Sequence, residues 1–157
     1  MSAKITLDFV AYSDIAVLAV CAPMRDYRFI WHINNDLQYS FAQEPPFSWF
    51  HKKLKADYEF ALFTCPNHED IVILSNRNEN VLLVPKLATV DFFIVFTDSA
   101  DPKEVALWKN TLQKIQGVTL ITQLQGKQLD DFQTILSDIE AQETERKKAE
   151  KQERKGF

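Results

Sequence analysis

Hydrophobic and polar positions change period several times along this chain, and each change predicts an element. Residues 4–10 set Ile5, Leu7 and Phe9 against Lys4, Thr6 and Asp8, the alternation of a half-buried strand. Tyr12-Ser13-Asp14 reads as a turn. Residues 15–21 then run apolar without alternation, with Ile and Val prominent, which predicts a strand covered on both faces. Pro23 suits the first turn of a helix, where its missing N–H costs nothing. From there Tyr27, Ile30, Trp31, Asn34 and Leu37 fall on one helical face, so a helix is expected over 23–37. A short strand is a candidate at 38–41, and residues 44–55 read as irregular at their start because of Pro45-Pro46.

Residues 58–65 and 70–75 flank the turn-rich spacer Pro66-Asn67-His68-Glu69, a hairpin signal. A loop at 76–80 leads to residues 81–84, which Pro85 restricts to an edge or a strand end. Residues 89–97 predict the strongest strand. Val90, Phe92, Ile94 and Phe96 point one way and Phe93 and Val95 the other, so the strand should be central. Asp101, Pro102 and Glu104 have the arrangement of a helix start: N-cap, first-turn proline and capping-box glutamate. Val105, Trp108, Leu112 and Ile115 continue it as one apolar stripe up to Gly117. Residues 118–124 predict another strand, and Leu129, Phe132, Ile135, Leu136 and Ile139 a last amphipathic helix. Beyond Ile139 the stripe disappears.

With the first strand and the last helix set aside, the order is strand, helix, strand, strand, helix, strand. That order predicts an α+β fold: a ferredoxin-like or related antiparallel or mixed sheet, with helices packed on one face and a C-terminal helix added. Residues 15–21 and 89–97 are its expected central pair. One globular domain is expected over 1–140, with 141–157 as a charged helical extension or disordered tail.

Three stretches carry a family resemblance. Val84-Pro85-Lys86-Leu87-Ala88-Thr89-Val90-Asp91-Phe92 places a proline at the lip of an apolar run, with Asp91 held downstream. This segment resembles the signature of the IPExxxVDY family, small proteins of Bacteroidetes-type bacteria. Asp26-Tyr27-Arg28-Phe29-Ile30-Trp31-His32-Ile33-Asn34 is similar to that family's DYRLxWxLN helix, and Leu74-Ser75-Asn76 to its LxN strand end. Lys86 stands where the family has glutamate and Phe92 where it has tyrosine. The resemblance implies no particular activity. It singles out Arg28, Pro85 and Asp91 as structural motif residues.

Composition narrows the picture. Twelve phenylalanines, only 3 glycines and 46% hydrophobic residues in 157 describe a packed, regular body. No N-terminal stretch has the basic, apolar and small-residue order of a secretory leader, and the apolar run at 15–22 is too short to span a bilayer. Cys21 and Cys65 sit in apolar segments and read as reduced thiols, so a cytoplasmic protein is expected. The net charge of −4 hides a split. Residues 1–145 hold 12 basic and 20 acidic side chains, a net −8, whereas residues 146–157 hold six basic and two acidic, a net +4. An acidic body repels phosphates, so nucleic acid could be reached only through Arg146 to Lys155.

Chemistry-bearing patterns are sparse. His32, His51 and His68 lie far apart without paired ligand spacing, so no metal is expected. There is no glycine-rich phosphate loop and no nucleophile elbow, so neither a cofactor nor an enzyme is expected. Asp91 has two readings: a carboxylate for catalysis or ligand binding at a sheet end, or a brace that caps a backbone N–H or pairs with a cation such as Arg28. The brace is favoured, because acid–base work usually needs a second titratable partner. Arg28 is read the same way. Phe47, Trp49 and Phe50 follow the double proline and precede His51-Lys52-Lys53, so they are a candidate interaction surface on a loop. Folding down onto the sheet is the other reading of those rings. The expected function is a non-enzymatic adaptor working through protein–protein contacts, with a homodimer left open. RNA or ribosome association through the tail is the alternative. A small-molecule sensor using an open sheet face is a third.

Overall fold

The structure is a computed structural model that describes residues 15–98 and 100–155; the strand expected at 4–10 lies outside the described residues. In chain order the elements are β1 (Ala16–Cys21), α1 (Asp26–Leu37), β2 (Ala42–His51), β3 (Ala56–Thr64), β4 (Ile71–Ser75), β5 (Arg77–Asn78), β6 (Val81–Leu82), β7 (Phe92–Phe96), α2 (Pro102–Gln113), β8 (Leu120–Gln123) and α3 (Lys127–Lys155). Six strands make one antiparallel sheet in the order β2-β3-β4-β7-β1-β8, and β5 and β6 form a separate two-residue ladder.

The sheet is built outward from its most apolar strands. β1 and β7 are buried at every residue, and they pair Leu18 with Ile94 and Val17 with Val95. Strands with no polar face can be satisfied only between two covered layers, which fixes them at the centre. β8-β1-β7-β4, with α1 after β1 and α2 between β7 and β8, is the ferredoxin-like arrangement expected from the element order. The β2–β3 hairpin is inserted between α1 and β4 and carries the sheet two strands further.

The two sheet faces bury separate cores. On one, Leu18, Val20, Ile73, Phe92 and Ile94 meet Phe29, Ile30 and Ile33 of α1 and Val105, Trp108 and Leu112 of α2. On the other, Val17, Ala19, Leu74, Phe93 and Val95 meet Phe132, Ile135 and Leu136 of α3. The C-terminal helix therefore covers the face that α1 and α2 leave free. Cys21 and Cys65 are both buried thiols and belong to opposite cores.

Several expectations shift in detail. The buried stripe of α1 is Phe29, Ile30 and Ile33, while Tyr27 and Trp31 face solvent. Both stripes satisfy helical spacing, and the sheet takes the one without polar atoms; Phe29 stacks on Phe92 at 4.2 Å. Gln38, left-handed at φ 61°, ends α1, and residues 38–41, a candidate strand, form none. Residues 42–51 are a strand despite Pro45-Pro46. β2 is an outer strand, and its register shifts between Glu44 and Phe47, where a missing N–H is tolerated. Val90 lies ahead of β7 and packs in the α3 core, apart from Phe92, Ile94 and Phe96. Asp101 does cap α2, accepting from Lys103 N at 3.0 Å, and the helix stops at Gln113. Gly117 follows at φ 103°, where an added Cβ would lie 2.7 Å from Met24 Cε. The tail is helical to Lys155.

Candidate functional site

Residues 76–91 link the ends of β4 and β7 around one side chain. Asn76 is fully buried. Its Nδ2 donates to the carbonyls of Leu87 (3.0 Å) and Val90 (2.8 Å), and its Oδ1 accepts from Val84 N at 2.8 Å. Its main-chain N–H donates to the Asp91 carbonyl, and its own carbonyl accepts from Leu83 N, both at 2.9 Å. Two donors and an acceptor on one short planar group are what an amide supplies, so the position selects asparagine. Pro85 and Lys86 are the exposed middle of a turn closed by Leu87 N donating to the Val84 carbonyl at 3.0 Å. Proline's fixed φ suits that place.

Asp91 closes the other end. Oδ2 accepts from Ala22 N at 2.7 Å, and Oδ1 accepts from Arg77 Nε at 2.6 Å. Arg77 Nη2 also donates to the Ala88 carbonyl. Asp91 thus both caps a backbone N–H and pairs with a cation, and that cation is Arg77. Arg28 stands exposed on the outer side of α1. A cleft of about 200 Å³ beside this brace is lined by Arg25, Asp26, Ser75, Arg77 and Asp91 among others. Both Asp91 oxygens already accept hydrogen bonds, which fits bracing better than proton transfer. Among the described residues no group of three or more His, Cys, Asp or Glu could hold a metal ion, and no helix is long and apolar enough to cross a membrane.

Phe47, Trp49 and Phe50 are strand residues of β2, contrary to the loop expected there. Strand alternation separates them. Phe47 is buried and Trp49 half-buried beside it, rings 5.6 Å apart, both packed in the α3 core. Phe50 faces away and is 53% exposed. The three rings therefore present no common surface.

The sequence reading missed an exposed aromatic shelf on α1. Tyr27 is 72% exposed and Trp31 60%, and with Arg28 and His32 they line one shallow surface hollow. His32 meets Trp31 edge-on at 5.1 Å. The signal was present as two competing apolar stripes on one helix. The stripe with polar handles, the phenol and the indole N–H, was the one to place outside.

The described part of the tail is also not free of the body. Gln142 Nε2 donates to the Ser48 carbonyl at 2.6 Å, and Gln142 Oε1 accepts from Ser48 N at 3.0 Å. Farther along, Lys147 pairs with Glu143 at 2.8 Å in solvent, which raises the Lys147 pKa. Neither protein-family models nor curated proteins give any match to this chain.

Proposed function

We propose that this protein is a docking module that engages a protein partner through the outward face of α1. The observation that carries the reading is the side-by-side exposure of Tyr27, Arg28 and Trp31. Tyr, Arg and Trp are the residue types that supply most hot-spot energy in protein interfaces. They stand on a helix whose inner face is locked by Phe29, Ile30 and Ile33, so little ordering remains to be done on binding. Large aromatic side chains held in water are otherwise unfavourable and mark contact sites. The same reading takes the chain as a non-enzymatic cytoplasmic adaptor related to the IPExxxVDY proteins, with Asn76, Pro85 and Asp91 shaping the loop beside α1.

A second reading, RNA association, rests on the basic helical turns at 146–154, all outside the core. α1 and α3 lie on opposite faces of the sheet, which favours two separate uses over one nucleic-acid surface. Capture from native lysate separates the two. A partner held by the wild type with nuclease present, and lost by Tyr27→Ala/Trp31→Ala, supports docking through α1. Partners that vanish with nuclease and ignore that double variant support RNA and defeat the docking reading.

A further inference from the structure

β2 is the outermost strand on its side of the sheet, so alternate residues turn their main-chain N–H and C=O away from β3. Such an edge is a template for pairing with another chain unless something blocks it. In the first half of β2 the block is intrinsic: Pro45 and Pro46 have no N–H, and the register shifts there. The second half has no proline. Its protection comes from 94 positions away in sequence, where Gln142 donates to the Ser48 carbonyl and accepts from the Ser48 N–H. A glutamine side chain carries the same donor and acceptor as a peptide unit. Asp138 Oδ2, one turn earlier on α3, accepts from Gln142 Nε2 at 3.1 Å and fixes the direction of the amide.

We infer that α3 beyond Ile139 is an edge guard, in which the Gln142 amide stands in for a neighbouring strand at Ser48 and its release opens β2 to antiparallel pairing with β2 of a second copy of this chain. The inference goes beyond docking through α1 and does not depend on it. A second copy is the occupant that the strand itself favours. Glu44 is the only acidic side chain between Ala42 and His51, so two such strands meet without opposing rows of like charge, although the bodies are acidic. Phe50 of this strand, 53% exposed, provides apolar surface for both copies to cover. Antiparallel pairing of one strand with itself about a twofold axis is self-complementary.

The test uses the full-length chain, with mass measured by light scattering over a concentration series and amide exchange measured residue by residue. In Gln142→Ala the Ser48 amide should exchange at low concentration at least about tenfold faster relative to the β1 and β7 amides than it does in the wild type, as expected for a local opening. At high concentration the same variant should gain mass over the wild type, and adding Ser48→Pro should return it to the wild-type mass. Proline there removes the outward N–H and leaves the β3 ladder intact. Unchanged Ser48 exchange, a mass equal to the wild type, or association that survives Ser48→Pro would each overturn the inference. So would an acceleration of the β1 and β7 amides as large as that of Ser48, because Gln142 would then hold the whole fold and not the edge.

Discussion

Among the described residues, three side-chain amides both donate to and accept from main chain that no strand reaches. Asn34 donates to the Phe41 carbonyl at 3.1 Å and accepts from Phe41 N at 2.8 Å, Asn76 holds the 76–91 loop, and Gln142 holds Ser48. Unpaired buried main-chain groups are costly, so these positions carry more stability than their polarity suggests. Asp91 belongs with them. Asp91→Ala should cost about 1–3 kcal/mol in urea unfolding, because Ala22 N–H and Arg77 both lose their acceptor. Asp91→Asn should cost less, since it keeps an oxygen for Ala22 N. Equal midpoints for Asp91→Ala and the wild type would refute the brace. The bracing role of Asp91 was legible from one acid set at the start of an apolar run. Its partner was not, because Arg77 sits in a polar loop where no spacing distinguishes it from Arg28. Tyr39 offers a separate test at high pH. Burial, with smaller contributions from Glu104 and Asp70, raises its phenol above the usual 10.0. A raised value means the fold favours the neutral phenol. That contribution is whole below pH 10 and fades as pH climbs through the folded value. Ultraviolet titration should find Tyr39 ionising above pH 10 in the folded wild type, with its step absent in Tyr39→Phe. A step at or below that value would contradict its burial.

At the scale of elements, strong periodicity read correctly and competition between patterns did not. β1, β7, the β3–β4 hairpin and the start of α2 follow from apolar runs, turn residues and a capping aspartate. The face of α1 was ambiguous because aromatic residues count as apolar in both of its stripes. β2 was hidden by Pro45-Pro46, whose cost depends on whether the strand lies at an edge, a property of the sheet and not of the segment. Ile139 ends the apolar stripe, but Gln142 still touches the body through polar atoms that periodicity cannot register. Ending the chain after Lys148 should leave the urea midpoint within about 0.5 kcal/mol of the full chain, since the side chains described over 149–154 are all exposed. Ending it after Ala141 should cost about 1–2 kcal/mol more, because Ser48 then gives up both bonds. Identical midpoints for the two truncations would mean that Gln142 adds nothing to the fold.

Across the whole molecule, both faces of β1, β7 and β4 are covered, one by α1 and α2 and the other by α3, while the β2–β3 hairpin keeps one side exposed at Phe50, Asp57 and Glu59. What remains outward is divided. One side offers Tyr27, Arg28 and Trp31, and the other ends in an exposed basic helix. Residue types favoured at interface centres stand on the first. A protein partner is proposed to sit on this α1 face. The most direct measurement is photo-crosslinking in native lysate from a benzoylphenylalanine placed at position 27, 31 or 107, the last replacing Leu107, an exposed residue of α2. One discrete, nuclease-resistant adduct is expected from positions 27 and 31 and none from 107. Adducts no stronger at 27 and 31 than at 107, or adducts abolished by nuclease, would contradict that placement.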